Sequence, residues 1–333
     1  MGSPGGTDRP LILEFRGAPR KSLPQGASDV VTPVVINITL TNGCVSSLLK
    51  NAYITPLVKK PGLDANEAGN YRPVSNLSCQ YCPRRQLNAV SQQLERHLTS
   101  DGLFPSHQSA YRKCHSTESL LLRVTSGLIG HLDKGEAALM AFLDLSAAFD
   151  TVDKEILLNR LSVSSGIQDT ALNWFTSYLT NRTEYTLFNG SKSPVRTVMH
   201  GVPQGSVLGP VLFLLYTADL EKIAKRHSFE AQFYADDSQS YVFSTPAASA
   251  FYDNRLLVCL DEMAEWMLVN RLCLNPANSQ FMRCATARRL GQLDDSTITF
   301  CDAQITPVQS CQKPGSTDGR ISQLPPACEP RCQ

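Results

Sequence analysis

Charge is scarce in this chain. Of 333 residues only 18% are Asp, Glu, Lys or Arg, below the roughly 25% of ordinary soluble domains. Neither sign prevails: 31 basic residues against 30 acidic ones leave a net charge of +1. That balance excludes a basic tail protein. It also speaks against nucleic-acid binding, which usually shows as a clearly basic domain. Long apolar runs are missing as well. The longest, residues 207–216, contains Pro210 and falls short of the roughly 20 residues of a membrane span. Residues 1–10 lack a basic region followed by an apolar run, so no secretory signal is read. No internal repeat is visible. The eleven cysteines are odd in number and irregularly spaced, which is no disulfide framework. The expectation is a soluble, intracellular protein with reduced thiols and no membrane contact. An apolar share of 42% excludes a disordered or collagen-like chain.

Residues 1–28 are rich in Gly, Pro, Ser and Arg and read as a poorly ordered tail. Residues 309–333 carry Pro314, Pro325, Pro326 and Pro330 and read as a second, frayed tail. Between them the patterns alternate. An apolar strand over 137–145 ends at Asp144. Asp153 opens a helix over 154–161, and Asp169 caps another over 170–179. Strands 183–188 and 195–199 flank Asn189-Gly190, a hairpin signal. A long helix is predicted over 206–225, with Pro210 tolerated near its start. Strands 231–234 and 240–243 meet at Ala235-Asp236-Asp237, and a further helix covers 247–270. Helices interleaved with hairpins favour an α+β layer over a doubly wound sheet.

Asp236 and Asp237 form a carboxylate pair at a tight turn, entered directly from Phe233-Tyr234. Asp at a turn is usually only a turn former. Here, however, like charges are grouped at the edge of a buried sheet, which is unfavourable without a bound cation. Asp144 ends a separate strand. Hard oxygen ligands suit Mg²⁺. Three such acids can hold two ions about 4 Å apart and drive an in-line phosphoryl transfer.

Five ordered segments carry a family resemblance. Phe233-Tyr234-Ala235-Asp236-Asp237 resembles the YxDD box of reverse transcriptases. Ala141-Phe142-Leu143-Asp144-Leu145-Ser146-Ala147-Ala148-Phe149-Asp150-Thr151-Val152-Asp153 resembles the first acidic motif of the LINE-like (non-LTR) retrotransposon enzymes, and His200-Gly201-Val202-Pro203-Gln204-Gly205-Ser206-Val207-Leu208-Gly209-Pro210 their second. Residues 54–62 with Tyr71-Arg72-Pro73-Val74-Ser75-Asn76-Leu77 resemble the fingers motifs, and Gln108-Ser109-Ala110-Tyr111-Arg112 is similar to a further signature. The resemblance implies a right-hand polymerase with its thumb missing or truncated. It divides the chain into a fingers subdomain over 29–136 and a palm over 137–308. It implies RNA-directed DNA synthesis on a primer 3′-end, with an RNA template, a DNA primer or nicked target DNA, and deoxynucleotides as partners.

The resemblance also distributes roles. Asp144, Asp236 and Asp237 would be catalytic metal ligands for two Mg²⁺ ions, with Mn²⁺ as a possible substitute, and the Leu145 carbonyl would complete a shell. Phe149 would be a steric gate against the 2′-hydroxyl; read without the resemblance it is core. Gln204 and Gly205 would sit against the incoming nucleotide and template. Lys59, or its neighbour Lys60, and Arg72 would reach the triphosphate. Tyr234 would pack beside the primer end. Tyr111 and Arg112 would shape the fingers and the template path without doing chemistry.

Three departures qualify this. Asn278 stands where the family carries a lysine, in Leu274-Asn275-Pro276-Ala277-Asn278. Residues 78–86 lose the apolar helix expected after Leu77; Pro83 reads as a helix breaker and the stretch as a local frameshift. The segment after Gln309 reads as out of frame. A zinc knuckle from Cys79 and Cys82 with Cys114 and His115 lacks a second paired spacing. These departures motivate an alternative, an inactive or co-opted nucleic-acid-binding remnant. An RNA-templated RNA polymerase is a further one, against which Phe149 argues. The neutral total charge also divides unevenly. Residues 50–113 hold nine basic and four acidic residues, and 114–237 hold ten and fourteen. A basic segment suits phosphate and an acidic one suits metal.

Overall fold

The structure, a computed structural model, describes residues 38–47, 50–77, 83–203, 205–293 and 297–312. The expected tail over 1–28, Cys79, Cys82, Gln204 and everything past 312 lie outside them.

Strands β1 (Asn51–Val58) and β2 (Tyr71–Leu77) form an antiparallel hairpin. Helix α1 (Pro83–Ser100) follows. Pro83, read above as a breaker, is its first residue. Proline suits that position, because its missing N–H has no partner there anyway. Leu87, Val90, Leu94 and Leu98 form the buried stripe of α1. Helix α2 (Thr117–Asp133) starts at a capping box in which Ser116 and Ser119 exchange hydrogen bonds. Its Leu120, Val124, Leu128 and Leu132 recur every fourth residue and are buried. Strand β3 (Ala137–Leu143) is buried along its whole length, and β4 (Leu145–Ser146) follows directly.

Helix α3 (Lys154–Val163) is capped by the Asp153 carboxylate, which accepts from the Glu155 and Ile156 amides. Helix α4 (Asp169–Leu179) differs from expectation. Gln168 takes the cap position without a side-chain bond, and Asp169 is the first helical residue. Strand β5 (Arg182–Phe188) turns at Asn189 and Gly190, both left-handed, into β6 (Ser191–Lys192), and also pairs with β7 (Arg196–Val198). The single helix expected over 206–225 is two, α5 (Gly209–Thr217) and α6 (Asp219–Arg226), joined through Ala218. Pro210 is the second residue of α5, where it costs no bond.

Strands β8 (Glu230–Tyr234) and β9 (Asp237–Ser244) form the predicted hairpin, and α7 (Ser249–Val269) follows. The remaining elements are β10 (Cys273–Leu274), β11 (Gln280–Thr286), the short α8 (Ala287–Leu290), β12 (Ile298–Phe300), β13 (Ala303–Ile305) and β14 (Val308–Gln312). Residues 309–312, expected in the frayed tail, are thus a strand, paired parallel to β11.

Two compact units emerge, and neither is continuous in sequence. The first joins the described residues up to Phe104 with Phe149–Tyr216. Its sheet runs β2-β1-β5, with β6 and β7 on β5. The second joins Pro105–Ala148 with the described residues from Thr217 onward. Its sheet has the order β14-β11-β3-β9-β8. One face of that sheet, Ala138, Met140, Phe142, Tyr241, Met282 and Cys284, packs on the stripe of α2. Burying each large aliphatic chain there contributes about 1.5–3 kcal/mol. Among the described residues, no helix is long and apolar enough to cross a membrane.

Candidate active site

The second unit carries the acidic residues. In the β8–β9 hairpin Tyr234 pairs with Asp237, so Ala235 and Asp236 alone form the loop. Ala235 is left-handed, with φ of 56°. A two-residue hairpin needs a positive φ, and glycine normally supplies it. Next in the sheet, β9 pairs with β3, ending at Leu143 opposite Ser238. Asp144 is one residue further on, at the sheet end where the Tyr234–Asp237 pair closes the hairpin. Asp144, Asp236 and Asp237 are all half-buried there.

Asp144 is fixed from its other side. Leu145 and Ser146 pair with Leu274 and Cys273. The Asn275 amide donates to the Asp144 carbonyl at 2.9 Å. The side-chain amides of Asn275 and Asn278 donate to its Oδ2 at 3.2 and 3.0 Å. Asn278 therefore touches the first acid directly, which the sequence comparison with a lysine did not foresee. Leu145 is buried. Tyr234 is half-buried, and its ring packs on the cluster around Met140 and Phe142.

The donor set is three carboxylates at one sheet end, hard oxygens that fit a divalent cation of the magnesium type. Among the described residues no three His, Cys, Asp or Glu side chains converge closely enough to enclose a metal by themselves.

The first unit carries the other candidates. Arg72 lies opposite Leu57 in the β1–β2 hairpin and is exposed. Lys59 follows the last pair, Val58–Tyr71, and its amide bonds to the Asn70 carbonyl. Lys59 and Lys60 lie just past the end of β1 and are both exposed. Phe149 is half-buried and stacks on Phe213, with centroids 4.7 Å apart. Its carbonyl accepts from the Val202 amide. Gly201 has φ of 86°, and a β-carbon there would sit 2.9 Å from the Asp150 Cα. Gly205 has φ of 85° and would meet the Ser75 carbonyl at 3.2 Å. Both positions favour glycine for their conformation, and Gly201 also for space. Gly205 therefore lies against β2, and Gly201 against residues 149–150. A cleft lined by Ile54, Ser75, Asp150, Arg182, Glu184 and His200 opens beside it.

The linear pattern assigns Gln108 no role, yet its buried side chain reaches the acidic turn. The signal was present in the Gln108–Arg112 segment, but nothing in the linear pattern says what that glutamine faces.

The sheet thus ends in an acidic hairpin, with a third carboxylate just past the neighbouring strand, a set of hard oxygens of the kind that suits chemistry on phosphates. Comparison with known proteins makes the class specific. Residues 58–305 match the family "Reverse transcriptase (RNA-dependent DNA polymerase)", and the chain belongs to that family. With it comes the palm-like polymerase fold. The chain is 30% identical over 230 residues to the "RNA-directed DNA polymerase from mobile element jockey" of Drosophila funebris, covering 66% of this chain and 24% of that protein. It is 32% identical over 164 residues to the "Probable RNA-directed DNA polymerase from transposon BS" of Drosophila melanogaster, covering 49% and 18%. It is thus similar to the enzymes of LINE-like elements, and the matches span about a fifth of those relatives' length.

Proposed function

We propose that this chain performs RNA-directed DNA synthesis, extending a primer 3′-end with deoxynucleotides, and that its acidic sheet end is the reaction centre. The observation that carries the reading is the arrangement of Asp144, Asp236 and Asp237 at one end of one sheet. Asp144, Asp236, Asp237 and the Leu145 carbonyl would hold two Mg²⁺ ions, or Mn²⁺ in their place. Bound there, the ions would supply activation of the primer hydroxyl and neutralisation of the departing pyrophosphate. The protein's own contribution is positional. The closing Tyr234–Asp237 pair and the amides of Asn275 and Asn278 hold the carboxylates in place. Lys59, just past the end of β1, and Arg72 on β2 would bind the triphosphate, in a segment (50–113) whose basic excess suits phosphate. The Gly205 backbone, with Gln204, would accept the nucleotide and template closely. Phe149, braced by Phe213, would exclude a 2′-hydroxyl, and Tyr234 would support the primer end. An RNA template, a DNA primer or nicked target DNA, and deoxynucleotides are the partners this requires.

A second reading, an inactive nucleic-acid-binding remnant, draws on Asn278, which stands on Asp144 where the family carries a lysine. Primer extension on an RNA template with Mg²⁺ and deoxynucleotides decides between them. Extension abolished by Asp236→Ala supports the enzyme. No extension by a chain that still binds template supports the remnant and refutes the enzyme.

A further inference from the structure

We infer that Gln108 is a positioning residue that holds the acidic turn in its left-handed conformation; its catalytic consequence rests on the function proposed above. Gln108 is 3% exposed. Its Oε1 accepts from the Ala235 amide at 3.1 Å and from the Ala110 amide at 3.0 Å, and its Nε2 donates to the Ala235 carbonyl at 3.4 Å. The assignment of oxygen and nitrogen is unambiguous, because two backbone amides can only donate. One carboxamide therefore grips both sides of the residue that immediately precedes Asp236-Asp237.

The grip has a need to meet. Ala235 carries a β-carbon at a φ that favours glycine, a conformation that persists only when its surroundings enforce it. The flanking backbone is built for this. The Ser109 amide donates to the Phe233 carbonyl at 2.9 Å, and the Phe233 amide to the His107 carbonyl at 2.9 Å. Residues 107–109 thereby bridge the outer edge of β8 in parallel. Two further anchors hold that segment. The Arg112 guanidinium donates to the Pro105 and Gln108 carbonyls at 2.8 and 3.0 Å. Glu221 on α6 accepts from the Ser106 hydroxyl and bonds to the His107 ring at 2.8 Å. The chain of contacts runs from α6 and Arg112 through Gln108 to Ala235.

A residue that only filled space would be replaced by leucine without consequence for the turn. For Gln108→Leu we expect faster hydrogen exchange at the Ala235 amide. We also expect a kcat for primer extension lower by about 10- to 100-fold, with the KM for deoxynucleotide little changed. Adding Ala235→Gly, which adopts the turn without enforcement, should restore much of the lost kcat. Gln108→Glu keeps the acceptor and removes the donor, so its loss of kcat should again be relieved by Ala235→Gly. This second variant keeps the test open if Gln108→Leu fails to fold. Unchanged exchange at Ala235, or a loss of kcat that Ala235→Gly does not relieve in either variant, would overturn the inference. Should the parent chain extend no primer, the exchange measurement still decides the structural part, so the two readings fail separately.

Discussion

Glu221 is the deepest anchor of the acidic turn, and its removal can be worked through in numbers. Its side chain is 6% exposed. Burial alone would raise its carboxyl, but hydrogen bonds from Lys225, Ser106 and His107 outweigh that and bring it from 4.5 down to about 2. Such a difference is worth about 3 kcal/mol in favour of the ionised form in the folded state. For a carboxyl held low by folding, the stabilisation is complete above the ordinary 4.5 and is lost as pH falls through 4.5 toward 2. Glu221→Gln keeps the shape and part of the hydrogen bonding, so at pH 7 it should cost about 2–3 kcal/mol. The most direct assay is hydrogen exchange at the Ser109 and Phe233 amides, whose bonds tie residues 107–109 to β8. If opening of that bridge governs exchange, protection should fall about 30- to 150-fold at pH 7. Parent and variant should converge as pH approaches 2. Equal protection at pH 7, or a gap that persists at low pH, would rule out Glu221 as this anchor.

Two other substitutions test separate parts of the molecule. Asp253→Ala would strand the buried Arg283 guanidinium, now bonded to Asp253 Oδ2 at 2.7 Å, and should destabilise the second unit by about 3–5 kcal/mol, read by denaturant unfolding. Phe149→Ala should raise ribonucleotide incorporation relative to deoxynucleotide by about 10- to 200-fold, the usual worth of a steric contact; an unchanged ratio in primer extension would remove Phe149 from the gate and leave it as the stacking partner of Phe213.

Elements whose signals are local were legible in the sequence. The all-apolar run of β3, the Asp153 cap of α3 and the Asn189-Gly190 turn each follow from a few adjacent residues, and the acidic hairpin fell where Ala235-Asp236-Asp237 put it. What failed needed information from elsewhere in the chain. Pro83 looked like a breaker because its position within a helix is invisible until the helix start is known, and at the first turn proline costs nothing. The 206–225 run looked continuous because its apolar period does not register the division at Ala218. Residues 309–312 have no strand pattern of their own and become a strand only because the buried β11 offers an edge to pair with. The site followed the same rule. Asp144, Asp236 and Asp237 were readable as acids at strand ends, while the contacts of Gln108 and Asn278 join residues more than a hundred positions away, which no local pattern encodes.

Asn278 then alters the electrostatics of the first acid in a measurable way. A lysine ammonium about 4 Å from Asp144 would offset about 4 kcal/mol of its charge at an effective dielectric constant near 20. The neutral amide that now bonds to Oδ2 contributes about 1.5–3 kcal/mol, as hydrogen bonds to charged groups do. The carboxylate retains more of its negative field, and a divalent cation would gain the difference on binding. Asn278→Lys should therefore raise the Mg²⁺ concentration needed for half-maximal primer extension by several-fold. It should do so most at low ionic strength, where half-exposed charges are least screened. An unchanged Mg²⁺ requirement would mean that residue 278 does not share the field of Asp144, and that its hydrogen bond only orients the side chain.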